Sequence, residues 1–251
     1  MKVFVIIPAA GLGTRMGGLT PGAKPVRVTP ISKQFTEIGG APILVHTLRK
    51  FEAVSQVSEI VLALRADDAK PCKSRLQMEG LQKKVSVVEG GEHRQQSVAN
   101  GLAKIDAAPG DLVLVHDAVR PFVDAEIIGN VIQAAARHGA AIAALPATDT
   151  VKQVDRTADG AIVVSTIPRA RVVMAQTPQG FRYDVLKKAF DEAQADGFQG
   201  TDEASLVERT GHEVAVVMGS PQNIKITTPA DMALAEFFLA QEHRRQSSMT
   251  G

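Results

Sequence analysis

The chain alternates short, continuous apolar runs with stretches in which apolar residues recur every three or four positions. The runs lie at residues 3–9, 59–64, 85–88, 112–116, 140–145 and 214–218 and are rich in Val, Ile and Leu. Runs of this length without polar alternation suit strands buried on both faces, as in parallel sheets. Between them, residues 43–53, 97–105, 125–138 and 185–195 carry the helical period, and a closing helix is predicted over 229–241, with Pro229 opening its first turn. Thr201-Asp202-Glu203-Ala204 reads as an N-cap followed by acidic first-turn residues. This rhythm predicts an α/β fold whose mainly parallel sheet is covered by helices on both faces.

The rhythm breaks between Pro146 and Pro178. Residues 150–154 and 162–166 are β-leaning runs on either side of the turn signal Asp155-Arg156-Thr157-Ala158-Asp159-Gly160, which predicts a β-hairpin. An antiparallel excursion from a parallel sheet is expected to project as an arm, here over about residues 147–170, and such arms serve oligomer contacts. No internal repeat or low-complexity linker interrupts the chain. Residues 1–242 therefore read as a single domain, followed by a frayed polar tail at 243–251.

Composition narrows the function classes. Lys and Arg total 28 against 27 for Asp and Glu, so no broad footprint for nucleic acid or a membrane surface exists. No apolar run is long enough to span a bilayer, and a strand begins where a signal peptide would lie, so a cytoplasmic protein is expected. The single cysteine, Cys72, sits in a polar segment, excludes an intramolecular disulfide framework and fits a reducing compartment. The histidines at 46, 93, 116, 138, 212 and 243 show no metal-ligand spacing.

The most informative chemistry follows the first strand, in Ala9-Ala10-Gly11-Leu12-Gly13-Thr14-Arg15-Met16. Small residues let backbone N–H groups approach a phosphate, and an arginine adds a fork of donors matched to its oxygens. Met16 occupies the place where the dinucleotide fingerprint needs a third small residue, and no Gly-Lys-Ser/Thr follows, so neither standard phosphate loop is present. Five further sites lie at loop or strand ends. Lys33, in Lys33-Gln34-Phe35, has the charge to neutralise a transferring phosphoryl group. Gly90-Gly91 leads to Ser97 at a helix start and offers backbone groups to a base or sugar. Asp117, after the strand ending at His116, suits Mg²⁺ or a ribose hydroxyl. Thr150, Arg169 and Thr177 surround the hairpin. Lys225 lies in a strand-like run between isoleucines, a poor place for an ammonium unless it meets an anion.

Taken in order, Ala9-Ala10-Gly11-x-Gly13-x-Arg15-Met16, Lys33-Gln34-Phe35, Gly90-Gly91-x-x-Arg94-x-x-Ser97-Val98, Val115-His116-Asp117-Ala118-x-Arg120-Pro121, Thr177-Pro178-Gln179, Thr201-Asp202-Glu203-Ala204-Ser205 and Asn223-Ile224-Lys225 resemble the 2-C-methyl-D-erythritol 4-phosphate cytidylyltransferases of the nonmevalonate isoprenoid pathway. The likeness runs from the first strand to the last helix. It implies a Rossmann-like sheet of the nucleotide-diphospho-sugar transferase type and transfer of CMP from CTP to methylerythritol phosphate with release of pyrophosphate. Ribitol 5-phosphate is the alternative acceptor.

The resemblance further implies that Arg15 and Lys33 stabilise the transition state. Ala9, Ala10, Gly11, Gly13, Gly91, Ser97, Asp117 and Ala118 would hold the nucleotide, and Arg169, Lys225 and Thr177 the acceptor phosphate. Thr150 and Arg120 would act across a homodimer interface built by the arm. Mg²⁺ would sit mainly on the triphosphate, with Asp117 as the one candidate protein ligand. Residues 17–32 depart from the family frame, lengthening the loop between Arg15 and Lys33 by roughly ten residues and adding Lys24 as a rival cation. Pro168, directly before Arg169, is a second departure.

Overall fold

The computed structural model describes the backbone of residues 1–11 and 33–249 and side chains through residue 245. Gly13, Arg15, Lys24 and the rest of the inserted segment lie outside the described residues. In chain order, β1 (Val3–Pro8) precedes the short pair β2 (Glu37–Ile38) and β3 (Ala41–Pro42), then α1 (Ile43–Glu52), β4 (Glu59–Leu64), α2 (Ala66–Met78), β5 (Lys84–Glu89), α3 (Arg94–Lys104) and β6 (Leu112–Val115). The second half comprises α4 (Ala125–His138), β7 (Ala140–Pro146), β8 (Val151–Thr157), β9 (Gly160–Ile167), β10 (Val173–Arg182), α5 (Tyr183–Ala195), α6 (Glu203–Arg209), β11 (Ala215–Met218) and α7 (Pro229–Met249).

Seven strands form one sheet in the order β11-β7-β10-β6-β1-β4-β5, parallel throughout except for β10, which is antiparallel to both neighbours. The alternation along β1 shows why both faces are covered. Val3, Val5 and Ile7 join a core with Leu44 and Leu48 of α1 and Val131 of α4, while Phe4 and Ile6 join Val98 of α3, Phe190 of α5 and Leu206 of α6. From β1 the chain steps outward through β4 to β5, then returns by α3 to β6 on the other side of β1. That reversal opens a crevice at the carboxyl ends of β1 and β6, the position at which open α/β sheets bind ligands.

The strands of the seven-stranded sheet other than β10, and α4, fall where the apolar pattern predicts them; β10, the β2–β3 pair and α2 do not. β10 goes unpredicted because Val173–Arg182 mixes polar, glycine and proline residues and its pairing is long-range: Gln179 aligns with Val115 and Gly180 with Leu114. A Cβ on Gly180 would stand 2.7 Å from Val131 and 2.8 Å from Leu114, so α4 packs directly on this strand only because glycine is there. The register shifts between Ala175 and Gln179, which frees residues 176–178 from the ladder beyond the end of β6. α2 is likewise missed, since it is polar over most of its length and contains Pro71. Its Cys72 is buried rather than on a polar surface, and burial pushes the thiol pKa up to about 11, which makes it unreactive. α7 itself runs on past residue 241 to Met249, with no glycine or proline after Pro229 to end it.

The hairpin forms as expected, β8 pairing antiparallel with β9 in a two-stranded sheet of its own. Val154, Ile162, Val163 and Val164 are exposed along it. Among the described residues, no helix is long and apolar enough to cross a membrane.

Candidate active site

Three strand ends converge in the crevice. Ala9 and Ala10 leave β1, Gly90 and Gly91 leave β5, and His116 and Asp117 leave β6. The first two loops touch: a Cβ on Gly90 would lie 2.4 Å from that of Ala10, so the close approach requires glycine. Ser97 then shapes the loop, accepting from the Gly91 N–H at 3.0 Å and donating to the His93 carbonyl at 3.1 Å. The hydroxyl thus ties the glycine turn to the start of α3 through its backbone partners. A fourth segment, the short turn Lys33–Phe35, docks against β1 through Gln34, whose side-chain amide donates to the Ala9 carbonyl at 2.6 Å. Lys33 is buried beside it, its ammonium donating to the Thr227 carbonyl at 2.9 Å. Thr227 is in turn fixed by Asp231 of α7, which accepts from the backbone N–H of Thr227 and of Thr228, each at 2.7 Å.

Together these segments line a cavity of about 230 Å³ that includes Ala9, Ala10, Gly11, Lys33, Gly91, Ser97, Asp117, Ala118 and Lys225. A second cavity of about 220 Å³ adjoins it, lined by Arg120, Gln176, Thr177, Gln179, Thr201 and Asp202. Arg94, Asp117 and Lys225 belong to both. The wall between the cavities is an ion network. Asp117 accepts from Arg94 Nε at 3.3 Å on one oxygen, and its other oxygen meets Arg120 Nε at 3.1 Å and Lys225 Nζ at 3.0 Å. Burial opposes ionisation of Asp117, but Arg94, Lys225 and Arg120 outweigh it and hold the carboxyl far below the usual range.

Lys225 thus meets an anion, as its sequence neighbours suggest, although residues 223–227 form an irregular segment and not a strand. Arg120 lies in its own subunit's site, where it also donates to the Asn223 carbonyl at 2.7 Å. The tight turn closed by its N–H on the Asp117 carbonyl, at 3.1 Å, keeps its guanidinium beside Asp117 of its own chain. The residues grouped around the hairpin separate. Thr177 belongs to β10 under the second cavity, whereas Thr150 and Arg169 are exposed at the base of the arm, Arg169 donating to the Thr148 carbonyl at 3.0 Å.

His116, given no role in the sequence reading, is fully buried and edge-on to Phe51, with ring centroids 4.8 Å apart. Its Nε2–H donates to the Arg120 carbonyl at 3.1 Å, leaving Nδ1 to accept from the Thr177 hydroxyl at 3.1 Å. Thr177 Oγ1 itself accepts the Asp117 N–H at 3.0 Å, so a neutral imidazole supports the backbone of the charged cluster. Burial lowers the His116 pKa to about 4. The folded protein therefore binds fewer protons than the unfolded chain between that value and about 6.5. Stability is expected to be full above about pH 6.5 and to fall by about 3 kcal/mol as the pH drops toward 4. Urea unfolding of wild type and His116→Gln across this window checks it; equal pH slopes would refute it.

The arrangement is built for anions: small-residue loops on one side, and Lys33, Arg94, Arg120 and Lys225 gathered around two joined cavities. The model of the family IspD, 2-C-methyl-D-erythritol 4-phosphate cytidylyltransferase, matches residues 3–241. The chain belongs to this family. A cytidylyltransferase of that name from Acidobacterium capsulatum is 53% identical over 98% of the chain and 100% of its own length, and one from Solibacter usitatus is 52% identical over 98% and 99%. Among solved structures, the 4-diphosphocytidyl-2C-methyl-D-erythritol synthase of Anaerococcus prevotii superimposes with a TM-score of 0.79 at 32% identity, covering 95% of this chain and 96% of that one. The Francisella tularensis cytidylyltransferase gives 0.76 at 35% identity over 94% and 99%. The mixed sheet with its one antiparallel strand is accordingly the α/β fold of these cytidylyltransferases.

Neither Arg94 nor Glu203 receives a role from the sequence, although each lies within a motif that carries the family likeness. Glu203 is buried at 1% exposure, and both of its oxygens accept from one terminal nitrogen of Arg94 at 2.7 Å. Burial raises the Glu203 pKa, while Glu203 and Asp117 together hold Arg94 charged against its own burial.

Proposed function

We propose that this chain transfers the cytidylyl group of CTP to 2-C-methyl-D-erythritol 4-phosphate. A phosphate oxygen of the acceptor attacks the α-phosphorus, the bond from that phosphorus to the β-phosphate bridging oxygen breaks, and pyrophosphate leaves as CDP-methylerythritol forms. The nucleophile is already anionic and needs no strong base. The chemical difficulty is bringing polyanions together while charge builds at the α-phosphorus, a task of positioning and electrostatic stabilisation.

The observation that carries the reading is the pair of adjoining cavities joined by Arg94, Asp117 and Lys225. The first, with the β1 and β5 loops, is assigned to CTP, and the second, with Arg120, Lys225 and Thr177, to the acceptor phosphate. Lys33 and Arg15 are assigned to the charge at the α-phosphorus, Arg15 lying outside the described residues. For a divalent ion the described residues do not supply a protein-held site: they contain no group of three His, Cys, Asp or Glu suited to a metal, and both oxygens of Asp117 already face cations. Mg²⁺ is therefore proposed as the counterion of the triphosphate, ligated by phosphate oxygens and water.

The remaining expectations belong to the same reading: residues 1–242 act as one catalytic unit in the cytoplasm. The arm is proposed to pack on a second copy through Val154, Ile162, Val163 and Val164, carrying Thr150 and Arg169 toward the partner subunit's acceptor phosphate. The relatives that match at 53% and 52% bear the methylerythritol phosphate name and do not favour ribitol 5-phosphate. Pyrophosphate release from CTP is expected to favour methylerythritol 4-phosphate over ribitol 5-phosphate and a sugar 1-phosphate by at least about 100-fold in kcat/KM. A preference for ribitol 5-phosphate, or no release with any acceptor, would overturn the assignment.

A further inference from the structure

Glu203 lines neither cavity, yet it is a carboxylate removed from water and committed entirely to Arg94. Its placement is specified from several directions. Gln179 of β10, itself buried, donates to an Asp202 carboxylate oxygen at 2.8 Å and accepts from the Ala204 N–H at 3.1 Å. Asp202 caps α6 by accepting from the Ser205 N–H at 2.9 Å. Glu203 is thereby held between two anchored residues and directed at the start of α3, where Arg94 is the first helical residue. A buried ion pair is seldom the most stable filling for such a space, because desolvation offsets its attraction. The chemistry that justifies it lies on the far side of Arg94, whose Nε holds one oxygen of Asp117.

We propose that Glu203 is a positioning residue for the transfer reaction, acting through Arg94 to keep one oxygen of Asp117 occupied and the other directed at Lys225 and Arg120. Without the anchor, the Arg94 fork is free to rotate and take both carboxylate oxygens of Asp117 as a bidentate pair. Lys225 and Arg120 then lose the acceptor that fixes their directions in the second cavity. The defect falls on the acceptor phosphate more than on CTP, whose cavity is shaped largely by the β1 and β5 loops. This inference rests on the proposed assignment of the second cavity to the acceptor.

The test is steady-state kinetics of pyrophosphate release for Glu203→Gln, Arg94→Gln and the double variant, beside a wild-type protein already shown to turn over both substrates. Wild-type turnover tests the functional reading separately. The expected result for Glu203→Gln is a rise of about tenfold in KM for methylerythritol phosphate, with KM for CTP changed less than about threefold. In the Arg94→Gln background the same substitution is expected to add no further rise. An unchanged acceptor KM, an equal rise in both KM values, or additive effects in the double variant would overturn the proposal. Folded fraction is followed by thermal unfolding; if Glu203→Gln does not fold, Glu203→Asp, too short to span the 2.7 Å contacts, takes its place with the same criteria.

Discussion

Replacing Lys33 by alanine is expected to lower kcat for pyrophosphate release by about 10²–10³-fold while leaving the fold intact. The lysine is buried at the edge of the cavity assigned above to CTP, on a turn that Gln34 fastens to the Ala9 carbonyl at 2.6 Å, so its ammonium is held in place by the fold. The Thr227 carbonyl, at 2.9 Å, orients that ammonium without cancelling its charge. A preorganised cation of this kind contributes mostly where charge develops, which places the loss in kcat more than in KM. Lys24 is the rival in the inserted segment. Lys24→Ala is expected to change chiefly the affinity for CTP, and the reverse ranking of the two variants in steady-state kinetics would refute the assignment.

Asp117→Asn is expected to cost about 3–5 kcal/mol of stability and to raise the acceptor KM strongly. The substitution keeps the shape of the side chain but leaves Arg94, Arg120 and Lys225 facing one another without the carboxylate that now separates them at 3.0–3.3 Å. Inorganic phosphate is expected to recover more stability in the variant than in wild type, because an added anion replaces the missing charge. The sign of the pH dependence is also set. The Asp117 carboxyl is held below its ordinary value, so its contribution is full above about pH 4 and lost as the pH falls below that. Urea unfolding of both proteins, with and without phosphate, measures these effects. A variant as stable as wild type, with no extra response to phosphate, would show that the cluster is not anion-organised.

What could be read from the residues depended on the range of the interaction. β4 and α4 coincide with their predicted bounds, because continuous Val/Ile/Leu runs and a helical apolar period are local signals. The loops after β1, β5 and β6 were also legible, since small residues or an aspartate at a strand end carry a chemical meaning of their own. β10 was not, because its three-residue break at Gln176-Thr177-Pro178 makes sense only once β6 and β7 are on either side of it. Glu203 illustrates the same limit at one residue. Its position after Asp202 satisfies helix-capping preferences alone, and nothing local distinguishes it from a solvated first-turn acid.

The sequence by itself determined the α/β rhythm, the hairpin and the set of polar residues at strand ends, since periodicity and strand-end chemistry are written over a few neighbouring positions. Tertiary structure alone decided how the charges are shared. Arg94 and Glu203 are 109 residues apart, farther than a sequence pattern connects, and Asp117 meets Lys225 where the segment after β11 docks beside it, the Ile226 N–H donating to the Val119 carbonyl at 2.9 Å. Charges so distant along the chain acquire their pKa values, their partners and their directions from burial and from one another, and those exist only in the folded molecule.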